Sequence, residues 1–311
     1  MTLEFDLIAR YFTRTTRQTL LGVGDDSALI ALLPGMELAI SADMLVAGTH
    51  FFADAAPYTI GWKSLAVNVS DMAAMGAQPK WATLALALPE VNEPWLAAFS
   101  CGFFACADAF NIDLIGGDTT RGPLTISVQI MGEVPVGRAI KRSGAKVGDG
   151  VWVSGRLGDA ALALAHLQHQ IVLSDDLRAC CEDALHAPMP RVALGLALQG
   201  VANSAIDISD GLLADLGHIL ACSGVGAIVQ ARLIPHVQHP EALRLALTGG
   251  DDYELCFTVP ADLYTRVIEI GEQLGLQLSC IGEIVAEPGV VVKNECGEAL
   301  SFGRAGYDHF G

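Results

Sequence analysis

Aspartates recur in short turns along this chain, at Gly24-Asp25-Asp26, Ser41-Ala42-Asp43, Ser70-Asp71, Gly116-Gly117-Asp118 and Asp207-Ile208-Ser209-Asp210, and most follow a hydrophobic run. Carboxylates at the ends of buried strands and in the first turns of helices lose hydration unless a positive charge meets them. The chain itself offers only 18 Lys plus Arg against 35 Asp plus Glu. The pattern reads as a multi-metal site, with Mg²⁺ supplying the missing charge.

Asp71 stands among apolar residues of a helical stretch, with Leu65, Val69 and Met72 on neighbouring faces, where a carboxylate has to be paired or metal-bound. The run Gly116-Gly117-Asp118-Thr119-Thr120-Arg121-Gly122 reads as a glycine-rich turn after a buried strand. Such a turn brings backbone N–H groups to phosphate oxygens while Asp118 holds a cation. It matches neither G-x-x-x-x-G-K-[ST] nor G-x-G-x-x-G, which removes support for P-loop, protein-kinase and Rossmann readings. Other motifs have two readings each. Gly24-Asp25-Asp26 alone is also an ordinary turn, and Ser209 or Asp210 also serves as a helix N-cap. Arg142 is either a phosphate fork or a solvated hinge arginine. Gly249-Gly250-Asp251-Asp252-Tyr253-Glu254 places a doubled acid before an apolar strand, His50 is also readable as a loop histidine, and Tyr307 as a packing aromatic.

The elements that must position these residues follow from periodicity. The spacing predicts a helix over 4–12, strands at 28–33 and 37–41, and a long helix over 57–75 opened by Pro57 and capped by Gly76. A strand at 81–88, a buried helix over 94–110, a short strand at 113–115 and another at 124–134 complete the first half. The turn-rich stretch 137–150 carries Arg138, Lys141, Arg142 and Lys146, and marks the boundary. The expected organisation is an N-terminal domain over 1–137, a basic linker over 138–150 and a C-terminal α+β domain over 151–311. In the last of these, strands at 151–154, 205–208, 253–259, 277–284 and 290–292 alternate with helices ending near 166, 185, 198 and 274 and one starting near 210. The fold class is α/β plus α+β, with two sheets whose acidic ends are expected to face a common cleft.

At 311 residues and 52% hydrophobic content the chain can bury a large core. A formal charge of −17 without basic runs opposes nucleic acid and anionic membranes as partners, so any anionic ligand must arrive with cations. The eight cysteines include no C-x-x-C pair and read as reduced core thiols. No apolar run approaches the roughly 20 residues needed to span a bilayer. The start of the chain carries Glu4 and Asp6 rather than a basic leader, and a cytoplasmic location is the expectation.

Taken together, GVGDDSA (22–28), SADMLVAGTHF (41–51), NVSDMAAMGAQP (68–79), LIGGDTTRG (114–122), KRSGAK (141–146), DISDGL (207–212), GGDDYEL (249–255) and GYDHF (306–310) resemble the bacterial thiamine-monophosphate kinase family over nearly the whole chain. GGDTT alone also looks like the wider superfamily of aminoimidazole ribonucleotide synthetase, selenophosphate synthetase and a hydrogenase-maturation protein. The resemblance implies a two-domain aminoimidazole ribonucleotide synthetase-like fold, a homodimer formed through the N-terminal sheet, and ATP-dependent phosphorylation of thiamine monophosphate to thiamine diphosphate. It further implies that Asp26, Ser41, Asp43, Asp71, Asp118, Asp207 and Asp210 hold several Mg²⁺ ions, with Ala42 contributing through its backbone. By the same resemblance Gly117, Asp118, Arg142 and Ser209 meet ATP, while His50, Asp251 and Tyr307 meet the thiamine phosphate. Position 42 is Ala where the family often has Thr, and position 251 is Asp where Glu is also common.

Such an acceptor is itself a phosphate monoester with a second pKa near ~6, dianionic and nucleophilic at neutral pH, so no general base is expected. Two other readings stand beside this one. The first is another ATP-using synthetase of the superfamily; the second is a non-catalytic thiamine-phosphate or nucleotide-binding protein, against which the retention of every acidic turn argues.

Overall fold

Glu4 and Asp6 in its first turn and Arg10 in its last match the dipole of helix α1, Leu3–Tyr11. The computed structural model describes residues 3–303 and 306, and the chain divides into two units, residues 1–72 with 77–137 and residues 73–76 with 138–311.

In the first unit α1 is followed by β1 (Met36–Val46), α2 (Pro57–Ala74), β2 (Gln78–Leu88), α3 (Glu93–Phe110), β3 (Asp113–Arg121) and β4 (Thr125–Pro135). The strands form one sheet in the order β1-β4-β2-β3, antiparallel except where β2 meets β3. Its central strands bury Trp81, Leu84, Leu86, Ile126, Val128 and Ile130. The Asn92 side chain caps α3 by accepting the Trp95 N–H at 3.0 Å, and the helix ends on Asn111 in the left-handed region at φ 54°. Helices α2 and α3 touch through glycine. A Cβ on Gly61 would stand 2.1 Å from the Phe99 carbonyl oxygen, and one on Gly102 only 1.8 Å from that of Tyr58.

Two strand expectations are corrected here. Residues 28–33 form no strand: Leu29 makes an isolated bridge to Leu21, and the Leu33 N–H goes to Glu133 Oε1 at 2.9 Å. Strand β1, by contrast, does not stop at 41. It pairs with β4 without interruption from Met36↔Pro135 to Val46↔Thr125, which carries Ser41-Ala42-Asp43 in mid-strand rather than in a turn.

The second unit comprises β5 (Gly150–Ser154), α4 (Asp159–Leu167), α5 (Asp175–His186), α6 (Val192–Ala197), β6 (Ser204–Asp207), α7 (Leu212–Ser223), β7 (Gly226–Gln230), α8 (Ala242–Thr248), β8 (Leu255–Val259), α9 (Tyr264–Leu274), β9 (Leu278–Val285), β10 (Gly289–Lys293) and β11 (Ala299–Leu300). Its seven strands lie in the order β11-β10-β7-β9-β5-β8-β6. Val151, Val153, Ile206, Leu216, Ile219, Val229 and Ile281 form one core, and a second gathers Leu162, Cys181 and Leu185 around α4 and α5. All eight cysteines are free, but Cys101, Cys222 and Cys296 are exposed, so the reading of them as core thiols fails for these three.

Glu254 is a buried carboxylate gripped by both Nε and Nη2 of Arg191 and by the Ser154 hydroxyl, which donates to it at 2.5 Å. Replacing it by Gln leaves the Arg191 guanidinium, only 26% exposed, without its counter-charge. The Glu254→Gln protein is expected to lose about 3 kcal/mol of unfolding free energy in a urea titration, and a loss below about 1 kcal/mol would contradict that role.

Candidate active site

The first unit sets its candidate residues on one strand face and one helix face. From Ala39 onward β1 alternates, with Ile40, Ala42 and Met44 exposed and Ser41, Asp43 and Leu45 turned inward. Opposite them α2 presents Asn68 and Asp71, one turn apart. The Ser41 hydroxyl donates to Asp71 Oδ2 at 2.5 Å, and the Asp43 backbone N–H donates to Asn68 Oδ1 at 3.1 Å. Asn68 is fully buried and is itself held by a 3.0 Å bond from Nδ2 to the Ser64 carbonyl. Next to Asp71, the buried Ser70 Oγ has no hydrogen-bond partner.

Asp25, Asp26 and Asp118 line one cavity of about 570 Å³, walled by Phe5, Ile8 and Phe12 around α1 and by Gly116-Gly117 of β3. No Lys, Arg or His is among its described lining residues. Gly116-Gly117-Asp118 is strand, not turn: β3 runs on to Arg121, with a register shift against β2 between Ala82 and Thr83. Gly117 at φ 154° lies so close to β2 that a Cβ would stand 1.8 Å from the Leu84 carbonyl oxygen, so this bulged segment exists only with glycine there.

His50 closes the end of β1. Its Nδ1 accepts the Val46 N–H at 2.9 Å, and the His50 backbone N–H donates to the Val46 carbonyl at 3.0 Å. That assignment puts the ring proton of the neutral imidazole on Nε2.

In the second unit Asp207 ends β6 as a buried residue, and Ser209 and Asp210 follow in the loop before α7. Neither is the side-chain cap of α7, since the N-cap is Gly211. The loop is folded around Asp215, whose Oδ2 accepts the N–H groups of Ser209, Asp210 and Gly211 at 3.0, 3.0 and 3.1 Å. Burial pushes the Asp215 carboxyl up to about 7, against the pull of those donors. The 249–254 segment is laced onto the same loop: the Asp251 N–H donates to the Ser209 carbonyl at 2.9 Å and the Tyr253 N–H to that of Ile208 at 2.8 Å. Asp251 and Tyr253 both have positive φ, 70° and 50°, and the Tyr253 hydroxyl donates to Asp251 Oδ1 at 3.0 Å. Between them Asp252 takes the Gly158 N–H at 2.9 Å, and burial drives its carboxyl well above the ordinary range. This is why β8 begins at Leu255 and not at 253.

Arg142 is exposed, in a loop tied to β6 and α7 by the bonds Ala205 N–H to Lys141 O, 3.1 Å, and Gly144 N–H to Ser223 Oγ, 3.1 Å. Tyr307 lies outside the described residues. Its neighbour Gly306 is described, and a Cβ there would stand 2.5 Å from the Ala214 Cβ and 2.8 Å from the Asp210 carbonyl oxygen. Asn68 and Asp215 were not singled out from sequence, and Asp252 only as half of the doubled acid. For Asp215 the signal was an acid four residues after the glycine of a strand-to-helix turn.

Carboxylate and hydroxyl oxygens in ones and twos, and a cavity whose described lining residues include three carboxylates and no cation, are the donor chemistry of a hard cation that keeps other positions for phosphate. These two domains are those of the AIR synthase-related proteins: the family's N-terminal domain matches residues 24–134 and its C-terminal domain residues 146–294, and the chain belongs to that family. Within it the chain is a member of the thiamine-monophosphate kinases. It is 49% identical to the thiamine-monophosphate kinase of Salmonella typhimurium, over 99% of this chain and 98% of the relative. The crystal structure of thiamine-monophosphate kinase from Stenotrophomonas maltophilia K279a matches at 48% identity with a TM-score of 0.85, covering 95% of this chain and 96% of that one. AaThiL, complexed with AMPPCP and TMP, matches at 30% identity and a TM-score of 0.79, covering 93% and 92%.

Proposed function

We propose that the protein transfers the γ-phosphoryl group of ATP to the phosphate of thiamine monophosphate, giving thiamine diphosphate. The observation that carries this reading is the cavity lined by Asp25, Asp26 and Asp118, with no basic side chain among its described lining residues, a pocket that takes polyphosphate only with metal. A relative of known structure that carries an ATP analogue and TMP supports the same pair of ligands. Asp26, Ser41, the Ala42 carbonyl, Asp43, Asp71, Asp118, Asp207 and Asp210 would hold Mg²⁺. When bound, Mg²⁺ neutralises phosphate charge and polarises the transferring group. Gly117 lets the backbone approach the nucleotide, with Asp118, Arg142 and Ser209 beside it. His50, Asp251 and Tyr307 receive the thiamine phosphate. No side chain is assigned as base: the His50 Nδ1 lone pair is already engaged by Val46 and its Nε2 carries the proton.

The protein acts as a homodimer in the cytoplasm. Ile40 and Met44, 55% and 57% exposed on the outer face of edge strand β1, give the N-terminal sheet an apolar surface for a second copy, and eight free cysteines suit a reducing compartment. The test is chromatographic detection of thiamine diphosphate from thiamine monophosphate and Mg·ATP, with ADP formed in equal amount. ATP turnover without thiamine diphosphate would overturn the assignment.

Tyr307→Ala is expected to raise the KM for thiamine monophosphate about tenfold or more while leaving that for ATP near its original value, since an aromatic face over a cationic heterocycle contributes on the order of 1–2 kcal/mol. An equal change in both constants would remove Tyr307 from the substrate pocket.

A further inference from the structure

Among the described residues of the second unit, one group of three metal-ligating side chains lies outside the acidic turns. A carboxylate oxygen of Asp159, at the first position of α4, and the Sγ atoms of the adjacent Cys180 and Cys181 on α5 all lie within 4.8 Å of one another. Asp159 is 6% exposed. Its Oδ2 is taken by Arg156, with Nη2 at 2.7 Å and Nε at 3.1 Å, while its Oδ1 is buried with no hydrogen-bond partner. A buried carboxylate oxygen without a donor is a standing penalty that a ligand would relieve. Cys181 is fully buried, and Cys180 is half-buried with its thiol donating to the Leu177 carbonyl at 3.3 Å.

We propose that Asp159 Oδ1, Cys180 Sγ and Cys181 Sγ form a site for a thiophilic d¹⁰ divalent cation of the Zn²⁺ class, separate from the Mg²⁺ chemistry. Two sulfurs and one oxygen are a donor set that such ions accept and that Mg²⁺ does not. Binding replaces two S–H bonds by metal–sulfur bonds and sends two protons to the buffer. The resulting charges cancel: two thiolates and one carboxylate against the divalent ion and the Arg156 guanidinium, which leaves a neutral assembly in a buried place. Cys180 and the half-exposed Arg156 provide the route of entry. The ion would fasten α4 to α5. Because Gly158 donates its N–H to Asp252, the residue before Asp159 also ties this site to the loop that carries Asp251.

The test uses the full chain with Cys101, Cys222 and Cys296 replaced by Ser, so that exposed thiols do not contribute, and Cd²⁺ as the probe. One equivalent is expected to produce a sulfur-to-metal charge-transfer band in the ultraviolet, and Zn²⁺ is expected to displace it and to raise Tm. Adding Cys180→Ser should weaken Cd²⁺ binding by at least about tenfold and reduce the band, and adding Asp159→Asn should weaken binding with the band retained. Circular dichroism without metal reports whether each variant is folded; should a variant at one position unfold, the other decides. No band in the reference protein, or an unchanged band and affinity in folded Cys180→Ser, overturns the proposal.

Discussion

Asp71→Asn is expected to lower kcat by at least about a hundredfold and to weaken Mg²⁺ binding in parallel, with the fold unchanged. Loss of a group that merely orients a metal ligand already costs 10–100-fold, and Asp71 is assigned as a ligand itself. The substitution is chosen because it isolates charge: an amide oxygen can still accept the Ser41 hydroxyl that now sits 2.5 Å from Oδ2. Asp43→Asn tests the same cluster from the strand side, since the Asp43 N–H bond to Asn68 belongs to the backbone and survives. Mn²⁺ titration followed by electron paramagnetic resonance gives a readout that does not depend on turnover. Near-normal activity and affinity in either variant at saturating Mg²⁺ would sink the assignment of these carboxylates.

The second large effect concerns the acceptor. If the phosphate dianion attacks unaided, thiamine, whose acceptor is an alcohol, should be phosphorylated at least about 10²-fold more slowly than thiamine monophosphate, because the general base it needs is absent. The rate with thiamine monophosphate should rise through the substrate's second ionisation near ~6 and then level off, since protonation below that pH removes the nucleophile. His50→Asn should keep that profile while weakening substrate binding. Asn can place an acceptor where Nδ1 now takes the Val46 N–H, so the turn after β1 should persist. Efficient phosphorylation of thiamine, or loss of the acidic limb in the His50 variant, would show that the protein supplies the base.

Local signals were enough to read most of the helices, although α8, Ala242–Thr248, was not among those expected. Pro57 and Gly76 bracket α2 because one lacks an N–H and the other accepts φ 63°, and both facts are visible in single residues. The strands were harder. Ser41-Ala42-Asp43 looks like a turn in sequence because polar residues interrupt an apolar run, yet β4 supplies hydrogen-bond partners along the whole of β1 from about ninety residues away. The run 28–33 has the composition of a strand, but among the described residues its only pairing is the isolated bridge from Leu29 to Leu21, and Leu29, Leu32 and Leu33 stay exposed. The acidic residues themselves stood out, being expensive among apolar neighbours. The residues that hold them did not, because Asn68 and Asp215 act through backbone N–H groups, which leave no pattern in side-chain types. Family membership came from the motifs jointly, whereas the Asp159–Cys180–Cys181 group required the fold to bring α4 against α5.

The left-handed backbone at Asp251 bears on which residues that position can exchange with. At φ 70° a long side chain is strained whatever it reaches for, while Asp, Asn and Gly are the residues that enter this region most readily. Asp in place of the also common Glu is then a fit to the main chain as much as to a substrate. A saturation library at 251 sorted for folding alone should enrich Gly and Asn beside Asp, and one sorted for activity should keep Asp over both. Enrichment of Glu in the folding sort would show that the turn relaxes. The permitted alphabet at 251 is set first by the path of the chain and only afterwards narrowed by chemistry.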